Sequence, residues 1–506
     1  VSDSRKYAGE RNLESYPRPR SGSPLVIAAY PNRYRVGMSN LGFHFIYSSL
    51  ARSGRFRVER LFLDDFPSPV ETDAVFFTVS YEEDLLNLVK MLISLGIEPM
   101  RVRRESGPLV IAGGPVVSSN PLPFFPLADV LAAGEGEEVL AMLIDSADAG
   151  WDDAASLAER FSGTDGLLFP GFKEKTVPAG PVDPSLFQHS TIITPETVFP
   201  DMLLVEISRG CPGACAFCMA TSVYRPFRTL PIDRFEAILD SAAGTLGTLP
   251  GKVGLVSTAA AAHPRFTGMI EAIMSRGGRA GLSSLRAADI DAGSAEEIGR
   301  AGIRSVTLAP ESGSERMRMK LGKKAPDRSY LDAARLLRGS GVSRFTLYML
   351  AGLPGEDSGS ASETEMFLGA FADAAKGARV SVNLNVLVPK PRTPLQFMPM
   401  QEKRDIRASI ESMRSVCRSS GVALSVKGER ASLNQARIAL GDESVGRAAV
   451  RLAVGSTSWK RALRDEGIDP DFIHAERGLE GLLPWEYVLG DDGRDALLGR
   501  YRATVS

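Results

Sequence analysis

The stretch that decides the fold is Met202-Leu-Leu-Val-Glu-Ile-Ser208 running directly into Arg209-Gly210-Cys211-Pro-Gly-Ala-Cys215-Ala-Phe217-Cys218. An apolar run of strand length ends in a loop that holds three of the chain's four cysteines. Downstream the same unit recurs. The runs KVGLVS (252–257), RAGLSS (279–284), RSVTLA (304–309), RFTLYML (344–350) and VSVNLNVLV (380–388) alternate with segments of helical spacing such as DRFEAILDSA and YLDAARLLRGS. Six strand–helix units predict a partial (β/α)6 barrel over residues 201–398 rather than a closed eightfold one. In such folds the loops at the carboxyl ends of the strands carry the chemistry, and the cysteine loop is one of them.

Upstream lies a second alternating region. Residues 1–23 are polar and read as an extended arm. LVIAAY (25–30), VERLFL (58–63), AVFFTV (74–79), LVIA (109–112) and DVLAA (129–133) read as five strands. Ser80-Tyr81-Glu82-Glu83 reads as a capping box opening the amphipathic helix DLLNLVKMLISL, closed by Gly96. Strands alternating with helices predict a doubly wound, Rossmann-like parallel sheet over 24–150. Residues 151–200, rich in Gly and Pro, read as a linker with a few strands. Residues 399–506 read as a helical C-terminal region.

The composition narrows the function classes. The chain has 506 residues, 44% hydrophobic and 24% charged, with a net charge of −2. That is globular composition, not that of a disordered chain. The charge balance gives no pull towards nucleic acid. No apolar run reaches the roughly 18 residues that a membrane span needs, and the N-terminal residues lack the apolar core of a secretory signal. Four cysteines cannot form a disulfide framework for so long a chain. The expected location is the cytoplasm.

Cys211, Cys215 and Cys218 have a C-x3-C-x2-C spacing. Soft thiolates select zinc, copper(I) or iron–sulfur. Structural zinc wants four protein ligands, and the candidates for a fourth are the distant His263 and Cys417. Three thiolates on a tight loop with a vacant fourth corner suit a [4Fe–4S] cluster with one open iron. A three-Cys-one-His zinc site and three unrelated free thiols are the other readings.

With Phe217, these cysteines form C-x3-C-x-aromatic-C, which resembles the motif of radical S-adenosylmethionine (SAM) enzymes. The resemblance implies that the open iron binds SAM, and that reductive cleavage gives methionine and a 5′-deoxyadenosyl radical. It also implies an electron donor such as flavodoxin or ferredoxin. By the same resemblance, Phe217 shields the cluster. Ser257-Thr258 after the second barrel strand, Ser283-Ser284 and Arg286 after the third, Glu311 after the fourth and Gly352 after the fifth are expected to bind SAM.

The upstream sheet resembles a cobalamin-binding domain. That family's pattern has Asp-x-His-x-x-Gly, then Ser-x-Leu, then Gly-Gly. Here Asn32 stands at the Asp position and Tyr34 at the His position, followed by Gly37, Ser80 and Gly113-Gly114. The resemblance implies bound cobalamin without histidine ligation. A vestigial domain and a sheet for another ligand are the alternatives. The strings YPNRYRVGMSNLGF, VEISRGCPGACAFC and NVLVPKPRTPLQF extend the likeness, to cobalamin-domain radical enzymes, over nearly the whole chain. The implied reaction is methyl transfer to an unactivated carbon of a small-molecule or peptide substrate. The alternatives are radical rearrangement, cyclisation or carbon–carbon bond formation without methyl transfer, and a non-catalytic metal or corrinoid module. Residues 1–210 contain no cysteine, which argues against the related methylthiotransferases with a second cluster there.

Four further features are singled out. Asn383 and Asn385 alternate on the last strand and share a face; they are read as a satisfied polar layer or as substrate contacts. Tyr348 is read as a packed aromatic, with a relay role as the alternative. The run Arg316, Arg318, Lys320, Lys323 and Lys324 is read as a solvated helix face, with attraction of an anionic substrate as the alternative. Cys417 is read as a buried apolar residue.

Overall fold

The computed structural model describes residues 6–65, 71–104, 107–147, 153–171, 176, 178–221, 223–455, 457–490 and 493–505. The expected boundary at 150/151 lies outside the described residues. The chain forms two compact units. One comprises Val1–Met202, Asn434–Ile473 and Glu480–Asp492; the other comprises Leu203–Leu433, His474–Leu479 and Gly493–Ser506.

The first unit is built on β1 (Leu25–Tyr30), β2 (Arg57–Phe62), β3 (Ala74–Thr78), β4 (Leu109–Gly113), β5 (Val130–Ala132) and β6 (Leu167–Leu168). Their order across the sheet is β2-β1-β3-β4-β5-β6. The first five are parallel, and β6 joins antiparallel. Near-continuous apolar runs suit strands covered on both faces. Val26, Ala28 and Tyr30 pack with Phe43, Leu140 and Leu143 on one face. Ile27, Ala29, Val75 and Phe77 pack on the other with Leu85, Leu88 and Leu92. The doubly wound expectation therefore holds, with one added antiparallel edge strand.

Three details differ from expectation. The helix Asp84–Ser94 starts without a capping box, because Glu83 at its N-cap makes no side-chain bond. Asp84 instead turns back and accepts from the amides of Ser80 (3.1 Å) and Tyr81 (2.9 Å). Residues 151–200 carry the few strands expected of them, β6 and the pair Ile192–Ile193, which binds Arg11–Asn12 of the N-terminal arm, and add the helix Ala154–Phe161. The C-terminal region is not one body. Val445, Ala448, Ala449, Ala462 and Leu463 complete the core of the first unit.

The second unit carries β7 (Met202–Glu206), β8 (Lys252–Val256), β9 (Arg279–Leu282), β10 (Ser305–Glu311), β11 (Arg344–Ala351), β12 (Arg379–Val386) and β13 (Ala423–Val426). They form a three-stranded sheet, β9-β8-β7, and a four-stranded parallel one, β10-β11-β12-β13. A parallel bridge between Leu285 and Leu308 links the two. The six expected strands are present, and β13 adds a seventh from a stretch read as helical. Phe345, Leu347 and Met349 are buried towards the helices, where Phe345 meets Phe371 edge-on at 5.6 Å. The intervening residues line the concave face. Among the described residues, no helix is long and apolar enough to cross a membrane.

Candidate functional site

The cysteine loop leaves β7 through Ser208–Arg209 and returns through Arg228–Thr229, which pairs antiparallel with it. Gly210 opens the loop at φ +78°, and a Cβ there would lie 2.2 Å from the Tyr224 carbonyl. Only glycine suits that combination. Thr258 Oγ1 donates to the Gly210 carbonyl. The Gly213 amide points at Cys211 Sγ from 3.4 Å, a contact that favours thiolate over thiol. Thr221 Oγ1 donates to the carbonyls of Cys215 (3.1 Å) and Cys218 (2.8 Å). The Ala216 amide donates to the Leu321 carbonyl at 2.8 Å, and Arg500 Nη2 donates to the Ala214 carbonyl at 2.7 Å. Phe217 packs on an apolar cluster of Ala216, Met317, Leu321 and Leu353.

Burial pushes the Cys215 thiol up to about 11; Lys323 pulls it down, and Cys218, Glu311 and Cys211 push it further up. Burial also raises Cys218. Loading a metal must therefore displace protons from this loop. A cluster spreads its thiolates over separate irons, so the donor set fits a [4Fe–4S] group. The two candidates for a fourth zinc ligand are otherwise engaged. His263 is buried, with Nε2 bonded to the Leu230 carbonyl at 3.0 Å and Nδ1 accepting from the Arg265 amide at 2.9 Å. Cys417 is 2% exposed within the helix Lys403–Ser419, the packing role expected of it.

Beside the loop stands Glu311, one of the expected SAM contacts, with buried partners that sequence reading missed. Glu311 ends β10 at φ +67°, and its carboxylate accepts from Lys323 Nζ at 3.0 Å. Burial opposes the Lys323 charge, but Glu311, Tyr330 and Cys215 more than offset it and raise its pKa. Arg318 is fully buried. It donates to the carbonyls of Ser312 (2.8 Å) and Ala325 (3.0 Å) and to Asp327, between the rings of Tyr330 and Phe367. The solvated-face reading of the run 316–324 thus fails for Arg318 and Lys323. A mixed run of charges gives no signal of which member turns inward.

The expected SAM contacts sit at strand ends, and several of their polar groups already serve the fold. Ser257 Oγ pairs with Ser208 Oγ and accepts from the Ala259 amide, while Ser283 Oγ donates to the Ser257 carbonyl. Arg286 faces Asp289 at 3.6 Å. Ser284 is half-buried and next to the bridging Leu285. The Gly352 amide donates to Glu356 Oε2 (3.1 Å) and Ser409 Oγ (3.2 Å) in a turn at φ +77°. Tyr348 is 38% exposed on the concave face, which corrects the packed-aromatic reading. It stands in register with Asn383, and Leu350 with Asn385.

In the first unit, β1 and β3 are adjacent although β2 follows β1 in the chain, so their carboxyl ends form the switch point where such sheets bind ligands. Asn32, Asn40, Ser80 and Asp84 gather there: Asn32 Nδ2 donates to Asp84 Oδ1 at 3.3 Å, and Asn40 Nδ2 to Ser80 Oγ at 3.0 Å. Tyr30, the last residue of β1, turns its buried hydroxyl towards Ser80 and Asn40, and Thr78 Oγ1, on the last residue of β3, is buried without a hydrogen-bond partner among the described residues. Gly113 ends β4, and Gly114 lets its backbone approach Val79, where a Cβ would lie 2.4 Å from the carbonyl. Two expected cobalamin residues are built into the core instead. Tyr34 is 1% exposed, donates to Glu10 Oε1 at 2.6 Å and packs edge-on against Tyr7 and Phe62. Gly37 makes room for the Phe62 ring, which a Cβ would meet at 2.4 Å. Asn32, Ser80 and Gly113–Gly114 thus stand at the carboxyl edge, whereas Tyr34 is filled into the core and is not presented there.

Comparison with known proteins bears on both units. Residues 205–368 match the family model described as the radical SAM superfamily, and residues 63–168 match that of radical SAM proteins, N-terminal. An uncharacterized protein of Methanocaldococcus jannaschii is 26% identical over 435 residues, covering 83% of this chain and 90% of that protein. Among solved structures, the chain is similar to the radical SAM methyltransferase TsrM from Kitasatospora setae with cobalamin and a [4Fe–4S] cluster bound. The TM-score is 0.53 at 17% identity, over 74% of each chain. It is also similar to the cobalamin-dependent SAM radical enzyme OxsB with aqua-cobalamin bound, at TM-score 0.52 and 16% identity, over 85% of this chain and 66% of that one. At these identities the likeness to solved structures is one of fold.

Proposed function

The chain belongs to the radical SAM superfamily, and from that premise we propose that it is a cobalamin-dependent enzyme that methylates an unactivated carbon. Cys211, Cys215 and Cys218 would hold the [4Fe–4S] cluster, and the edge formed by Asn32, Ser80 and Gly113–Gly114 would hold cobalamin. When bound, the cluster and SAM supply a 5′-deoxyadenosyl radical, and methylcobalamin supplies the methyl group. The protein's own part is binding, orientation and exclusion of water. Phe217 and its apolar neighbours keep the loop dry. Glu311 and Lys323 offer a carboxylate and an ammonium at the end of β10, with Ser257, Thr258, Ser283, Ser284, Arg286 and Gly352 on neighbouring strand ends, as the polar surroundings of SAM. Tyr348, Asn383 and Asn385 give the concave face a neutral hydrogen-bonding surface for the substrate.

The observation that carries the radical chemistry is the donor set: three thiolates on a pinned loop, with His263 and Cys417 spent elsewhere. Anaerobic purification tests it. About four irons per chain are expected, lost in Cys211→Ala, Cys215→Ala or Cys218→Ala, together with 5′-deoxyadenosine on addition of SAM and reductant. A colourless chain carrying one zinc would sink the reading. Methyl transfer rests on the switch point of the first unit and on the likeness to two cobalamin-bound folds. A second reading, radical chemistry without methyl transfer, is favoured by the burial of Tyr34 and Gly37. A corrinoid spectrum after reconstitution separates the two.

A further inference from the structure

The loop that lies against the cysteine ligands is also a surface. The helix Glu315–Lys320 runs into residues 321–324, and Gly322, at φ +72°, packs so close that a Cβ would lie 2.3 Å from the Ala214 carbonyl and 3.8 Å from Cys215 Cα. Met319 next to it is 41% exposed, Lys324 is exposed and Lys320 is half-buried. Arg500 reaches the same Ala214 carbonyl from the helix Arg494–Val505. Burial lowers the Arg500 pKa, and the charge of the exposed Arg225 lowers it further. Three carboxylates around the loop 321–324 are engaged. Glu311 pairs with Lys323, Asp327 pairs with Arg318, and Glu315 accepts from the Asp327 amide at 2.6 Å. Lys320, Lys324 and Arg225 make no ion pair among the described residues. In a chain of net charge −2, this is a local positive field with an apolar centre, a few ångströms of backbone from a thiolate ligand.

We propose that the face formed by Met319, Lys320, Lys324, Arg225 and Arg500 is the docking surface for an acidic one-electron carrier protein. The proposal rests on the radical reading, because it assigns the route by which reducing equivalents reach that site. One electron leaves the carrier's reduced flavin for the cluster, and no atom or proton need move with it. Complementary charge speeds encounter and aligns the carrier with the thin wall over Cys215, and small, weak, salt-sensitive interfaces are characteristic of electron transfer.

The test compares two reductants on the cluster-loaded full chain. The double variant Lys320→Glu/Lys324→Glu alters the face without touching a residue assigned to the cluster or SAM, and Arg404→Glu, an exposed arginine on the helix Lys403–Ser419, is the control. With dithionite, variant and wild type are expected to form 5′-deoxyadenosine at the same rate. With reduced flavodoxin, the variant is expected to be about tenfold slower at low salt, and the difference to shrink as salt is added. Binding of oxidised flavodoxin, measured by calorimetry on cluster-loaded and cluster-free chain, is expected to weaken about tenfold in the variant only. Equal rates and equal binding for variant and wild type overturn the docking surface alone, and so does an equal loss with both reductants. A wild type that forms no 5′-deoxyadenosine with dithionite overturns the radical reading, and the proposal with it.

Discussion

His44 and Asp84 titrate in opposite senses inside the same unit. Burial depresses His44 to about 4; its Nε2 faces the Met38 carbonyl at 3.1 Å, and its Nδ1 faces the Thr191 amide at 3.2 Å. It is thus held neutral, with the proton on Nε2. Its contribution to stability is present above the unfolded value of 6.5 and is lost as pH falls towards 4. Burial raises Asp84 to about 6, against the hydrogen bonds of Tyr81, Ser80 and Asn32. Its contribution is present below its unfolded value and is lost as pH rises to about 6. Each shift is worth up to about 3 kcal/mol, so the two nearly cancel between pH 4 and 6. Denaturant titrations across that window should show stability of His44→Gln falling with pH relative to wild type, and that of Asp84→Asn rising. Parallel profiles for all three proteins would contradict this account. Arg318 is the other residue with a large stake. Arg318→Met strips a donor from two buried carbonyls and from Asp327, and should cost about 3 kcal/mol in chemical denaturation. Arg318→Lys should recover little, since an ammonium cannot span three acceptors and stack on two rings.

At the scale of the element, the cysteine loop depends less on its cysteines than on what holds its backbone. Gly210 and Thr258 fix its start, Thr221 its end, and Leu321 and Arg500 its middle. Gly210→Ala adds left-handed strain of about 1–3 kcal/mol and a clash with the Tyr224 carbonyl. All three thiols remain in the variant but are displaced. Iron per chain should fall with unchanged far-UV circular dichroism, and full iron loading would show that the loop adapts. The strands β10 to β12 follow the same logic on their concave face. Their register places Tyr348 beside Asn383, so the lumen there is lined by groups that hydrogen-bond without charge.

At the scale of the whole molecule, the chain's end completes its beginning. The helices Glu443–Val454 and Trp459–Asp465 bury Val445, Ala448, Ala449, Ala462 and Leu463 against the first sheet. A chain ending at residue 433 would leave that apolar face open. The loss is about 5 kcal/mol or more, or roughly 10–20 °C in Tm for a unit of this size. Scanning calorimetry should show the first unit of the truncated chain melting early or aggregating. A melting profile equal to that of the full chain would mean the face is not needed.

The sequence by itself determined the two alternating α/β regions and the cysteine loop after β7, because hydrophobic periodicity and ligand spacing are local properties of the chain. Strand limits read from apolar runs fall within two residues of those observed for all eleven expected strands, β1 to β5 and β7 to β12. β13 escaped, because its residues 423–426 are only half covered and carry no apolar run. Only the tertiary structure decided which polar side chains are available. Tyr34 and Gly37 sit at ligand positions in the pattern but fill the core, whereas Lys323 and Arg318 look like surface charges and lie buried beside the site. Burial depends on what distant segments bring to a residue, such as Glu10 to Tyr34 or Asp327 to Arg318. No local spacing encodes that.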